Sequence, residues 1–147
     1  MPNNSYGKAN NRNGGANYRQ EPPKSIEAEK LPADYIEAAE KVMAERYRAI
    51  TTSKLRNILS MLMDVYNAEQ LRTEEKLTEE SGRKLQLARI RIAYECGRDN
   101  STKTFVESAK VLAYLKGIGN SREEAIRYIH YMEALVAYHR FFGGREN

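Results

Sequence analysis

The segment Leu85–Arg98 constrains the fold more than any other part of the chain, because its apolar residues recur at the spacing of an α-helix. At about 100° per residue, two flanks of this helix are apolar, one with Leu87, Ile90 and Tyr94 and the other with Leu85, Ala88, Ile92 and Cys96. A helix that is apolar on two flanks is expected to pack between neighbouring helices. The segment therefore predicts a fold of several helices built around it.

Three cations lie between the two flanks of this helix. Lys84, Arg91 and Arg98 are spaced seven residues apart, so they point in the same direction and form what we call the basic seam. A cationic seam between packed helices would line a groove that suits an anionic partner. The same spacing also fits ordinary snorkelling cations on a surface helix, with Glu95 as their neutralising partner. Periodicity leaves both interpretations open.

Helical spacing recurs in four other segments of the chain. The pattern predicts a first helix after Leu31-Pro32, over residues 34–50, and a second helix with Thr52 or Ser53 as its N-cap. Residues 67–81 are acidic and polar and are predicted to connect the second helix to the third, which Gly97 ends. A fourth helix, with Ser101 or Thr102 as its cap, is expected to continue until Gly117 and Gly119 stop it.

The strongest local signal is the sequence Ser121-Arg122-Glu123-Glu124, which matches a capping box. In this motif the serine hydroxyl accepts from the backbone N–H of Glu124, and the glutamate reaches back to the start of the helix. A fifth helix should then run from residue 122 to about residue 142. Its apolar surface is broad, which is typical of a central helix.

These patterns predict the fold class and the domain organisation. No alternating apolar and polar pattern with hairpin turns is present in the sequence. We therefore expect an all-α protein, a compact bundle of about five helices over residues 31–147. Residues 1–30 are rich in Asn and Gly at their start and are predicted to be a disordered tail.

Composition narrows the class of protein. The chain is 41% hydrophobic and 30% charged, and no apolar run approaches the roughly 20 residues of a membrane span. The first residues lack the apolar region of a secretory signal, so we expect a cytoplasmic protein without a membrane partner. The only cysteine, Cys96, excludes an internal disulfide. The net charge is +4, and residues 83–110 carry seven Lys or Arg against three acids, which favours a polyanionic partner.

The sequence shows no constellation of residues that would support catalysis. Phosphate-binding glycine loops, zinc-binding helices and nucleophile elbows are all absent from the sequence. His130 and His139 are nine residues apart, which is the wrong spacing for a shared metal, and we expect His139 at the edge of the core. We therefore predict that the protein is not an enzyme and that it uses neither a cofactor nor a metal.

A binding site for phosphate is predicted at the start of the second helix. Lys54, Arg56 and Asn57 gather there, where free backbone N–H groups and the helix dipole favour an anion. The alternative is an ordinary helix cap followed by residues that face solvent.

Three segments together resemble a known family. They are Thr52–Asn57 (TSKLRN), Ala93–Arg98 (AYECGR) and Leu135–Gly144 (LVAYHRFFGG), and they resemble the small subunit of the type III-A CRISPR–Cas effector, the Csm complex. The resemblance covers roughly residues 33–147. It implies a mostly five-helix protein without catalytic activity, whose copies stack as an inner filament and hold the guide RNA and target RNA through a basic groove.

The resemblance also implies partners and contact residues. Its partners would be the guide and target RNA, the backbone and large subunits and further copies of the chain. The predicted RNA-binding residues are Lys54, Arg56, Asn57, Lys84, Arg91 and Arg98, whereas Tyr94, Tyr138 and Phe142 look structural. Phe141, predicted to point away from the main apolar surface, is a candidate contact between stacked copies. Two other functions stay open: a helical protein–protein adaptor, and a small DNA-binding regulator with residues 54–60 as its recognition helix.

Overall fold

The computed structural model describes residues 21–147, which contain six α-helices and no named strand. The helices are α1 (Tyr35–Arg46), α2 (Thr52–Glu69), α3 (Glu79–Arg98), α4 (Asn100–Ser108), α5 (Val111–Gly117) and α6 (Arg122–Phe141). The predicted all-α class is therefore confirmed. The predicted tail falls largely on residues 1–20, which lie outside the described residues, and residues 21–34 form no helix. Within residues 21–147, no helix is long and apolar enough to cross a bilayer.

The central element is α6, as its broad apolar surface predicts. It packs mainly against α1 and α2, while α3 packs against α2, α4 and α5. Seven of its side chains are buried, namely Ala125, Tyr128, Ile129, Tyr131, Met132, Leu135 and His139. The core of the bundle thus lies around α6.

The predicted fourth helix is divided into α4 and α5. Lys110 has a φ of 56°, in the left-handed region, and this breaks the helix. The hydroxyl of Tyr131 donates to the carbonyl of Ala109 at 2.8 Å, and that of Tyr128 donates to the carbonyl of Val111 at 2.8 Å. Both tyrosines come from α6, so tertiary contacts from a distant helix hold the break.

Four of the six helices in residues 21–147 begin with a side-chain cap. The oxygens of Thr51, Thr78, Asp99 and Ser121 accept from backbone N–H groups in the first turns of α2, α3, α4 and α6. The Ser121 cap is confirmed, with 3.1 Å to the N–H of Glu124. The second hydrogen bond predicted for the capping box, in which the Glu124 side chain reaches back to the start of the helix, is wrong. The carboxylate of Glu124 accepts from Arg127 instead. The caps predicted for α2 and α4 are also wrong, since the chain uses Thr51 and Asp99.

The acidic connector between α2 and α3 is organised by one buried carboxylate. The Glu69 side chain is fully buried and accepts from Arg72 at 2.5 Å and from the N–H of Thr78 at 3.2 Å. Burial alone would raise the pKa of Glu69, but hydrogen bonds from Ser81, Arg72 and Thr78 outweigh burial and lower this pKa. The connector is therefore tied to the last turn of α2.

Only one of the two apolar flanks of α3 is buried. Leu85, Ala88 and Ile92 are at most 4% exposed and face α2, α4 and α5. The other flank, which we call the apolar stripe of α3, consists of Leu87, Ile90 and Tyr94, and these side chains are 62–65% exposed. The prediction that α3 packs between neighbours on both flanks is therefore wrong within residues 21–147. All the helices that pack on α3 lie on its other side.

The extended segment before α1 packs on α5. Leu31 is buried, and the N–H of Glu29 donates to the carbonyl of Ala113 at 3.0 Å. Its own carbonyl lies against Gly117, where an added Cβ would be 1.9 Å from that oxygen. Only glycine allows this close approach.

Candidate nucleic-acid interface

A groove runs between the first half of α2 and the last half of α3. We call it the α2–α3 groove; it has a volume of about 420 Å³. The buried side chains of Ile58 and Ile92 contribute to its lining, together with polar residues from both helices. Because both helices are anchored in the core, the groove holds its polar groups on a rigid frame.

Four of the six predicted RNA-binding residues line this groove. Lys54 and Asn57 come from α2, and Arg91 and Arg98 come from α3. The other two do not line it. Arg56 is exposed on another face of α2. Lys84 lies roughly 10 Å before Arg91 along the axis of α3, and its ammonium is 3.8 Å from Asp64 and 3.6 Å from Glu80.

Lys54 is already paired within the chain. Its ammonium donates to the carboxylate of Asp99 and, at 3.2 Å, to the hydroxyl of Thr102. The hydrogen bond from Lys54, followed by that from Thr102, lowers the pKa of Asp99 to about 2. Any phosphate that contacts Lys54 must therefore share it with Asp99, a partner that the sequence did not reveal.

The two arginines that α3 contributes to the groove, Arg91 and Arg98, are its more accessible cations. Arg91 is exposed and forms no ion pair with any residue in the range 21–147. Arg98 lies 3.5 Å from the carboxylate of Glu95, and its guanidinium carbon is 5.8 Å from the ring centroid of Tyr94. Both pairings of Arg98 are exposed and loose, which leaves its charge available to an anion.

The start of α2 differs from its prediction. The backbone N–H groups of Thr52 and Ser53 donate to the carbonyls of Arg145 and Glu146, at 2.8 and 3.0 Å. The N–H of Lys54 donates to the hydroxyl of Thr51 at 3.2 Å. The prediction that free N–H groups at this helix start would favour an anion is therefore wrong, because the chain itself occupies those donors.

His139 lies fully inside the core rather than at its edge. Its Nε2 is 2.7 Å from the carbonyl of Ile50, and because a carbonyl only accepts, Nε2 carries a proton. Its Nδ1 is 3.1 Å from the hydroxyl of Thr52. The imidazole thus joins α6 to the start of α2. The other histidine, His130, packs against the ring of Tyr66, and no group of three or more potential metal ligands occurs within residues 21–147.

The family model and the similar proteins agree on one family. The family model described as Csm2 Type III-A matches residues 29–145, which include all six predicted RNA-binding residues. A relative from Mycobacterium tuberculosis (strain CDC 1551 / Oshkosh) is 34% identical over 117 residues, 77% of this chain and 94% of the relative. A relative from Streptococcus thermophilus is 36% identical over 97 residues, 66% of this chain and 76% of the relative. Both are described as "CRISPR system Cms protein Csm2".

Proposed function

The chain belongs to the Csm2 family of type III-A CRISPR systems, the small subunit of the Csm effector complex. From this premise we propose that it is a non-catalytic subunit that holds guide and target RNA in the α2–α3 groove. One observation carries the proposal. The consecutive helices α2 and α3 bring Lys54, Asn57, Arg91 and Arg98 to the same groove. Cations and an amide on a rigid frame suit the regularly spaced phosphates of an RNA backbone.

In this proposal the groove contacts the RNA backbone rather than base edges. In an RNA-guided complex, base pairing between guide and target reads the sequence, so the protein needs only to hold the strands. Arg91 and Arg98 are the principal phosphate contacts in this proposal. Lys54 contributes while shared with Asp99, and Arg56 and Lys84 extend the positive surface beyond the groove.

The proposal includes assembly. Copies of the chain stack as an inner filament beside the backbone subunits that carry the guide RNA, in contact with the large subunit, and the complex acts in the cytoplasm in defence against viruses. The exposed side chain of Phe141 supports the stacking of copies, because a phenylalanine that is 76% exposed is suited to burial against a neighbour.

The test is a pair of double variants with the same change in charge. In the first, Arg91→Glu and Arg98→Glu reverse the groove. In the second, Arg89→Glu and Lys103→Glu reverse two cations outside the groove, one on the far side of α3 and one on α4. Both are purified in the assembled complex, and the retained RNA is measured over a series of salt concentrations.

We expect the groove variant to lose RNA and the control to keep it. Loss of two phosphate contacts should also make the slope of log affinity against log salt concentration shallower by about 2. Equal RNA retention by the two double variants would contradict the groove assignment. Recovery of an acidic protein without RNA would instead favour the adaptor function, and a preference for duplex DNA would favour the regulator.

A further inference from the structure

The apolar stripe of α3 borders the α2–α3 groove. Leu87, Ile90 and Tyr94 are 62–65% exposed. Tyr94 is three residues after Arg91 and four before Arg98, so its ring lies on the same side of α3 as both cations. The guanidinium of Arg98 already lies near this ring, 5.8 Å from its centroid. An aromatic ring thus stands exposed beside two arginines, although the sequence indicated a structural role for Tyr94.

We propose that Tyr94 stacks on an unpaired base of the RNA whose phosphates Arg91 and Arg98 contact. This inference rests on the proposed function, since it needs RNA in the groove. An aromatic ring next to a cationic track is the combination by which proteins hold single-stranded nucleic acid. Every base has an aromatic face, so this contact does not depend on sequence.

Charge favours RNA over an apolar protein segment as the occupant of this site. The rim of the stripe is cationic, and Arg91 has no counter-ion within residues 21–147. A base stacked on Tyr94 would place its own phosphates next to Arg91 and Arg98. A wholly apolar partner would instead leave these charges desolvated and unpaired, at a cost to its own binding.

Stacking is possible only where a nucleotide is unpaired. Inside a duplex, both faces of each base are covered by its neighbours, so only the backbone reaches the protein. The contribution of Tyr94 should therefore appear with single-stranded RNA and be absent with a fully paired duplex, whereas Arg91 and Arg98 should contribute to both.

Three substitutions at one position separate stacking from apolar contact. Tyr94→Phe keeps the aromatic face, Tyr94→Leu keeps an apolar side chain without that face, and Tyr94→Ala removes both. The affinity of the full-length chain for a labelled single-stranded RNA and for the matching duplex is measured by fluorescence anisotropy over a series of salt concentrations. The variant carrying Arg91→Glu and Arg98→Glu is measured in parallel.

We expect Tyr94→Ala and Tyr94→Leu to weaken single-strand binding roughly five- to a hundredfold, with Tyr94→Phe within about twofold of the natural chain. Their salt dependence should match that of the natural chain, because no phosphate contact is lost. Unchanged affinity in Tyr94→Ala, or full rescue by leucine, would overturn the stacking while leaving the groove intact. Rescue by leucine would show that an apolar side chain without an aromatic face is enough for this contact. If the natural chain binds single-stranded RNA no more tightly than the variant with Arg91→Glu and Arg98→Glu, both the stacking and the proposed function are overturned.

A fluorescent reporter gives a second measurement at the same position. The chain contains no tryptophan, so Tyr94→Trp places a single indole beside the groove, and Leu71→Trp places one at an exposed position after the end of α2, away from the groove. Single-stranded RNA should quench the first indole and leave the second unchanged. Equal quenching at both positions, or none at position 94, would contradict the inference.

Discussion

The helices α3 and α6 are both twenty residues long, but they use their apolar residues differently. Most of the apolar surface of α6 is buried, including the rings of Tyr128 and Tyr131, although Phe141 at its end is 76% exposed. By contrast, α3 buries one flank and leaves the apolar stripe open beside the basic groove. The comparison indicates that α6 stabilises the fold, whereas the apolar stripe of α3 contributes little to it and, in our proposal, serves binding. Helical periodicity alone cannot separate these two uses, since it reports which residues share a face and not what covers that face.

The largest expected difference between the two helices comes from one matched leucine pair. Leu135 of α6 is fully buried, and Leu87 of α3 is 64% exposed. Leu135→Ala should lower the free energy of unfolding by about 2–5 kcal/mol through lost burial and the cavity left behind. Leu87→Ala should change it by less than about 0.5 kcal/mol. Urea denaturation followed by circular dichroism checks both, and similar losses in the two variants would break the comparison.

Glu69 holds the connector that leads into α3 by accepting hydrogen bonds from Arg72 and Thr78. Glu69→Gln should cost about 1–3 kcal/mol, because the buried charged acceptor of Arg72 and Thr78 is lost. The pKa of Glu69 is lower in the folded chain than its ordinary value of 4.5. Its contribution is therefore present above pH 4.5 and is lost as the pH falls through the lowered value.

Denaturation of the natural chain and of Glu69→Gln over a pH series measures this contribution. The variant should lose less stability on acidification than the natural chain. Glu133→Gln, at an exposed position on α6, is the control and should follow the natural chain. A Glu69→Gln variant that is as stable as the natural chain at neutral pH would show that the connector does not need this carboxylate.

A smaller effect is expected from removing one hydroxyl in each helix. Tyr128→Phe leaves the ring in the core but removes the donor to the carbonyl of Val111, so we expect a loss of about 1 kcal/mol. Tyr94→Phe should leave stability unchanged, since this ring is exposed. Thermal unfolding of the two variants compares them directly. A loss in Tyr94→Phe equal to that in Tyr128→Phe would mean that the ring of Tyr94 is held by the fold.

The smallest effect concerns the ion pair at the end of α3. The pKa of Asp99 is lowered from 3.8 to about 2, chiefly by the hydrogen bond from Lys54. This pair stabilises the fold above pH 3.8, and its contribution is lost as the pH falls through about 2. Lys54→Met should flatten this part of the pH dependence while leaving the cap of α4 on Asp99 intact. If the stability curves of Lys54→Met and of the natural chain agree within measurement error between about pH 4 and pH 2, the pair contributes nothing to stability.

Local signals predicted those parts of the fold that depend on neighbours in sequence. Ser121 caps α6 as its motif indicates, and the spacing of Arg91 and Arg98 places both on one groove. The parts that were missed depend on residues far away along the chain. The break at Lys110 is held by two hydroxyls of α6, and Lys54 is paired with Asp99, forty-five positions later. No local pattern reports such contacts.

The first turn of α2 is completed by residues 93 positions later in the chain, since Thr52 and Ser53 donate to the carbonyls of Arg145 and Glu146. On the ribosome, α2 is synthesised long before those carbonyls exist. Its first turn must therefore remain incomplete while α3 to α6 are being made, and water satisfies the open donors in the meantime. Only after Arg145 and Glu146 have been made can this end of the helix close, so the native start of α2 forms later than the synthesis of α3 to α6.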